Sequence, residues 1–212
     1  MLREHYVAEL DQTRSDLVDM GARAQQALAD ALESLIKSDR SAAARARSLE
    51  VEIDACNKRI YERCLSLLTL QAPVAGDARL LTAILEAIVD LELIGDYADD
   101  IAELVLGMNA KPVSAVLSDV ADAGKKVQQM LSQAMDSWRH LDRALGLSIR
   151  PMQSAVKDDC ERLVEKLTVL ASASRDSSPH VGLILICKNL ERITVHCVNI
   201  AEQAAFTVPS YS

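Results

Sequence analysis

An internal duplication constrains the fold of this chain more than any other feature of its sequence. Residues 91–103 read LELIGDYADDIAE, and 99 positions later residues 190–202 read LERITVHCVNIAE. A repeat period near 100 residues is typical of duplicated domains, because solenoid proteins repeat over much shorter lengths. The sequence therefore predicts two similar domains in tandem.

Each half of the 212-residue chain is patterned as three long helices. The chain has only 7 glycines and 5 prolines, and apolar residues recur along it at helical spacing. The pattern breaks near residues 38–41, 71–76, 107–112 and 174–179. Asp77 is expected to cap the third helix, and Pro151 to kink or delay the fifth. Because short loops between such helices give antiparallel packing, we predict an all-α fold of two tandem three-helix bundles, at residues 1–107 and 112–206.

Composition and charge argue against several classes of function. The net charge of -8 argues against broad nucleic-acid binding, which rests on neutralising phosphates with basic residues. The first residues lack the apolar core of a signal peptide, and the most apolar stretch, residues 181–187, is too short to be inserted across a membrane. The five cysteines form no CxxC pair, so we expect reduced, buried thiols in a cytoplasmic protein, and neither a zinc site nor disulfides.

The third predicted helix carries acidic residues on a face that begins as a core face. Leu81, Leu85 and Ile88 lie on this face, and the following turns of the same face are acidic. This acidic stripe consists of Glu92, Asp96, Asp99, Asp100 and Glu103. Like charges three or four positions apart cost about 0.2–0.5 kcal/mol per pair, so we expect a metal, basic side chains or a partner to offset them. A solvated helix face is the alternative interpretation.

The second predicted helix carries a matching pair of carboxylates. Glu50 and Asp54 are four positions apart and share a face, as do Glu92 and Asp96 on the third helix. Because these helices are neighbours in a three-helix bundle, the two pairs can converge on one spot. Four carboxylates offer the oxygen ligands that Mg²⁺, Mn²⁺ and iron bind, and the absence of histidine among them argues against zinc.

The second copy of this site has lost acidic residues. Val195 stands where the first copy has Asp96. On the fifth predicted helix, the counterpart of the first acid of the helix-two pair falls within residues 153–155, and that of the second is Asp158 or Asp159. We therefore expect a carboxylate metal cluster in the first repeat and not in the second.

The sequence contains no familiar catalytic motif. It has no GxSxG, Walker or GxGxxG segment, and its four histidines are scattered. We therefore expect a protein that is not an enzyme. The alternative is a metalloprotein whose carboxylate cluster has a catalytic or metal-storage role.

The duplicated segments resemble the hallmark of the PhoU family, a sequence close to L-E-R-I-G-D-x-A-x-N-I-A-E that occurs twice. Pro73, Asp77 and Arg79 also resemble the family's P…D-x-R entry to the third helix. The resemblance implies two three-helix bundles, usually in a homodimer, with metal clusters held by E/D-x-x-x-D pairs. It also implies a negative regulator of phosphate homeostasis, which links the ATPase of a phosphate ABC transporter to a sensor histidine kinase and represses the phosphate-starvation response.

The resemblance extends to individual acidic residues of the first repeat. Glu50 and Asp54 match the pair on the family's second helix, and Glu92 and Asp96 match the pair on its third. Asp100 stands where the family tends to have asparagine. These five residues are the metal ligands that we predict, for iron, Mn or Mg.

Overall fold

The computed structural model describes residues 2–70, 74–108 and 114–208, and these ranges contain helices and no β-strand. The helices are α1 (Leu2–Lys37), α2 (Arg40–Leu70), α3 (Ala75–Gly107), α4 (Ser114–His140), α5 (Arg143–Ser148), α6 (Arg150–Ala173) and α7 (Ser178–Thr207). The predicted all-α fold is confirmed. Among these seven helices, none has the length and apolar composition needed to cross a lipid bilayer.

The helices form two bundles that share one continuous core. Helices α1, α2 and α3 pack against one another, and so do α4, α6 and α7. The bundles meet where α3 packs along α7 and α1 packs on α4. Helices α3 and α7 are antiparallel, since Asp90 of α3 contacts Gln203 of α7 while Met108, after the end of α3, lies over Gly182. The two tandem three-helix bundles are thus confirmed, while the boundaries at residues 107 and 112 stay a prediction.

Of two helix starts that the sequence predicts in detail, one agrees with the structure and one does not. The fifth predicted helix is delayed, as Pro151 indicates: α6 begins at Arg150, and Pro151 lies in its first turn, where a missing N–H costs nothing. The short helix α5, capped by Asp142, precedes it. The prediction that Asp77 caps α3 is wrong. The helix begins at Ala75, after Val74, and Asp77 lies within its first turn, where a negative charge suits the helix dipole.

The cysteines are buried in the core, as the sequence predicts. All five are free and buried. Burial raises the pKa of the Cys64 and Cys187 thiols to about 12 and that of Cys160 to about 11. A thiol with so high a pKa is almost entirely uncharged at neutral pH, so these side chains act as small apolar core residues.

One carboxylate is buried at the contact between the two bundles. Asp90 of α3 is 7% exposed and accepts hydrogen bonds from three side chains of α7. The donors are His196 Nδ1 at 2.7 Å, Asn199 Nδ2 at 3.0 Å and Gln203 Nε2 at 2.9 Å. A buried carboxylate is tolerated only when its oxygens are satisfied in this way. The three bonds therefore favour one register of α3 on α7.

The hydrogen bonds of Asp90 generate a stability prediction. Replacing Asp90→Ala leaves three partly buried donors of α7 without their acceptor, so the free energy of unfolding in urea should fall by about 2–4 kcal/mol. The matched change Asp122→Ala removes an exposed carboxylate of α4 and should alter it by less than about 0.5 kcal/mol. Equal effects of the two changes would contradict the role given to Asp90.

Candidate cation site

Three of the predicted ligands meet between α2 and α3. One carboxylate oxygen from each of Glu50, Asp54 and Asp96 lies within 4.8 Å of the other two. Glu50 and Asp54 are partly buried on successive turns of α2, and Asp96 is exposed on α3. We call these three residues the carboxylate cluster. The predicted convergence of acidic residues from the two helices is therefore present in the structure.

A glycine allows α3 to approach α2 closely at the cluster. A Cβ atom on Gly95 would lie 3.0 Å from Cδ1 of Ile53, which is tighter than an ordinary contact. Ile53 is buried on α2 between Glu50 and Asp54, and Gly95 directly precedes Asp96. The absence of a side chain at Gly95 thus brings the backbones together where the carboxylates meet.

Glu92 lies beside the carboxylate cluster. It accepts a short hydrogen bond from the Asn57 side-chain amide, one turn after Asp54 on α2. Lys58 adds a positive charge at the edge of the cluster, since its Nζ lies 3.8 Å from a carboxylate oxygen of Asp54. Glu92 is therefore close enough to affect the electrostatics of the cluster, while its own oxygen is held by an amide.

The carboxylates of this region resist ionisation. Partial burial, followed by the charge of Asp54, raises the pKa of Glu50, Glu92 and Asp96. A raised pKa means that the negative form is destabilised. A cation bound here would remove that destabilisation, since it replaces like-charge repulsion with attraction.

The remaining members of the acidic stripe face other partners. Asp99 forms an ion pair with Arg47 of α2, with 2.9 Å between Nε and Oδ1. Burial raises the pKa of Asp100, and the charges of Asp99 and Glu103 raise it further, while Arg192 of α7 opposes them. Asp100 therefore faces α7, outside the three-carboxylate cluster, and its assignment as a ligand stays a prediction.

The carboxylate cluster fits a hard cation. It offers only oxygen donors, from side chains on two rigid helices, and these are the ligands that Mg²⁺ and Mn²⁺ prefer. Iron also binds carboxylates in helical bundles. Glu50, Asp54 and Asp96 are the residues that would hold the ion, with Glu92 the next carboxylate within reach. The identity of the metal stays a prediction.

Among the described residues of the second repeat there is no such cluster, and the structure changes one detail of the expected alignment. Buried Val156, Leu163 and Leu167 of α6 match Ile53, Ile60 and Cys64 of α2. This register gives Gln153 and Lys157 as the counterparts of Glu50 and Asp54. Neither Asp158 nor Asp159 is therefore the counterpart of Asp54, and Asp159 instead pairs with Lys126 of α4. A lysine and Val195 now occupy two of the three ligand positions.

Two basic residues near the site were not identified from the sequence. Arg47 lies three positions before Glu50, and Lys58 lies four positions after Asp54, so both share the helix face of the predicted pair. That spacing could have revealed them. Only the packed helices show that Arg47 reaches across to Asp99 on α3.

Fold and site together define a duplicated helical protein with one carboxylate cluster among the residues that the structure describes. A family model described as PhoU domain matches residues 17–105 and residues 120–204, one match in each repeat. The chain therefore belongs to the PhoU family, as its duplicated motif indicates.

Related proteins cover nearly the whole chain. A Synechocystis protein named phosphate-specific transport system accessory protein PhoU homolog is 31% identical over 206 residues, which is 97% of this chain and 92% of the relative. The Escherichia coli phosphate-specific transport system accessory protein PhoU is 28% identical, over 92% of this chain and 81% of its own length. The crystal structure of PhoU from Pseudomonas aeruginosa has a TM-score of 0.91 at 29% identity, over 95% of this chain and 98% of that one.

The raised pKa values generate a pH-dependent prediction. Because the pKa of Asp96 is higher in the folded protein than in the unfolded chain, its ionisation destabilises the fold as the pH rises through the raised value. In the presence of a chelator, Asp96→Asn should therefore raise the Tm at neutral pH by about 2 °C. The difference from the unsubstituted protein should shrink toward about pH 4, where the carboxyl is increasingly protonated.

The matched control is Glu86→Gln, an exposed carboxylate on the same helix, with no acidic partner from α2 among the described contacts. Its Tm should change little with pH relative to the unsubstituted protein. A lower Tm for Asp96→Asn at neutral pH in chelator would contradict the repulsion within the carboxylate cluster.

Proposed function

We propose that this chain is a regulatory accessory protein of a phosphate transport system and acts by binding, without catalysis of its own. The observation that supports this most strongly is the match to proteins of that name over 92–97% of the chain. The structural match to Pseudomonas aeruginosa PhoU covers 95% of this chain, so the similarity includes both repeats and not one domain alone.

The finer part of the proposal concerns partners. The protein would act in the cytoplasm as a homodimer, couple the ATPase of a phosphate ABC transporter to a sensor histidine kinase, and repress the phosphate-starvation response when phosphate is plentiful. The exposed acidic residues of α3 support a role in contacting basic protein surfaces, because complementary charge favours such encounters. The net charge of -8 agrees with partners of opposite charge.

The carboxylate cluster has a structural role in this proposal. A divalent cation held by Glu50, Asp54 and Asp96 would connect α2 to α3 and neutralise charges that repel one another. The ion would thereby stabilise the face of the first repeat that carries the acidic stripe. The second repeat, with Lys157 and Val195, would keep its shape without a metal.

One observation favours the alternative of a catalytic metal cluster: Asp96 is exposed, so a bound ion would be open to solvent. Steady hydrolysis of phosphate esters by the pure protein, lost in Asp96→Asn, would support that alternative over the regulatory proposal.

Cation binding can be tested by thermal unfolding with Mn²⁺. At a Mn²⁺ concentration about 100 times the dissociation constant, binding stabilises the folded state by about 2.7 kcal/mol, so the Tm should rise by several degrees. The double variant Asp54→Asn/Asp96→Asn should lose this rise, because it removes ligands from both helices, and Glu86→Gln should keep it. A rise that persists unchanged in the double variant would refute the assignment of the carboxylate cluster.

The regulatory role can be tested with a phosphate-starvation reporter in the native host. Deletion of the gene should derepress the reporter in phosphate-rich medium, and the unsubstituted gene and Glu86→Gln should both restore repression. If repression is unchanged in the deletion strain, the proposed function is wrong.

A further inference from the structure

A groove of about 610 Å³ lies between the C-terminal half of α3 and the N-terminal half of α7. It extends along α7 from Ser178 to Arg192, which corresponds to about 21 Å at 1.5 Å per residue. We call it the α3–α7 groove. Its length is that of a few helical turns, whereas a single small ion would occupy only a fraction of it.

The floor of the α3–α7 groove is apolar. Val181 and Leu185 are one turn apart on α7, and each is 46% exposed. Leu104 and Met108 line the opposite side with the same spacing of four residues. Met108 packs directly against Gly182, because a Cβ atom on Gly182 would lie only 2.6 Å from Cε of Met108. Apolar side chains from both α3 and α7 therefore line the groove.

One wall of the groove is acidic, and its carboxylates form no ion pair with the residues that the structure describes. Asp100 and Glu103 are exposed and three positions apart on α3, and no Lys or Arg of the described chain lies within ion-pair distance of either. Asp99, by contrast, is paired with Arg47. Arg192 of α7 also lines the groove, and without an ion pair its charge partly offsets the burial that raises the pKa of Asp100. Its guanidinium lies over the Tyr97 ring, 5.7 Å from the ring centre. The acidic wall therefore remains available to a cation from outside the chain.

We propose that the α3–α7 groove binds an amphipathic helix of a partner protein, with apolar side chains on the floor and Lys or Arg against Asp100 and Glu103. This inference rests on the proposed regulatory function, because it identifies the surface through which an accessory protein would bind a partner. An amphipathic helix buries side chains at i, i+4 and i+7 in such a groove. Val181 and Leu185 supply apolar surface at the matching spacing.

The negative charge of the acidic wall favours a basic helix over a lipid surface as the ligand of this groove. A membrane rich in anionic lipid would be repelled by Asp100 and Glu103, whereas a basic helix is attracted by them. Binding to anionic vesicles in place of the peptide would therefore overturn the proposal.

The test uses a fluorescein-labelled 15-residue helical peptide with leucines at i, i+4, i+7 and i+11 and lysines on both flanks. Fluorescence anisotropy with the full chain should show saturable binding. Leu185→Glu, and separately the pair Asp100→Asn/Glu103→Gln, should weaken it about tenfold or more. The control pair Asp119→Asn/Asp122→Asn makes the same charge change on α4, again three positions apart, and should leave the affinity within about twofold.

Two further readouts decide the outcome. A scrambled peptide of identical composition should bind at least about tenfold more weakly, and bound peptide should slow amide hydrogen exchange in residues 100–108 and 178–192. Equal binding of the scrambled peptide, equal losses in the control pair, or protection confined to other helices would each overturn the proposal. If the deletion strain is derepressed while the peptide fails these tests, only the groove assignment is wrong. An unchanged reporter in the deletion strain refutes the proposed function itself.

Discussion

The antiparallel contact between α3 and α7 joins the two bundles and sets which side of α3 faces α7. It buries Asp90 among three donors that extend over two turns of α7, and these bonds favour one alignment of the two helices. In that alignment Tyr97 lies beside His196 and under Arg192. The acidic half of α3 consequently lies along the N-terminal half of α7. The opposite side of this half of α3 packs against α2.

The alignment divides the acidic stripe among three environments. On one side, Asp96 joins Glu50 and Asp54 of α2 in a cluster that suits a hard cation. Asp99 is neutralised within the chain by Arg47. On the other side, Asp100 and Glu103 form a wall of the groove against α7. A single run of like charges is therefore divided between two separate surfaces, and in each of them a cation would relieve the repulsion.

The sequence predicts what depends on local geometry. Helical spacing and the duplicated motif predict the two bundles, and the four-residue spacing of Glu50 and Asp54 places them on one face toward α3. Local spacing does not predict contacts between helices that are far apart in the sequence. Asp90 and Asn199 are more than 100 positions apart, and nothing local predicts that they meet. The sequence did not identify Lys157 as the counterpart of Asp54, because the register of the second repeat depends on the length of the loop before α6. A shift of one residue in that register replaces Asp158 with Lys157.

The proposed cation site distinguishes the two repeats, because its three carboxylates lie in the first repeat and Lys157 and Val195 replace two of them in the second. Anomalous diffraction from crystals soaked in Mn²⁺ would locate the ion itself. One peak per chain is expected, among the carboxylates of Glu50, Asp54 and Asp96, and none beside Glu191 and Val195 of the second repeat. A peak in the second repeat, or no peak in the first at saturating Mn²⁺, would show that the cation site is wrongly assigned.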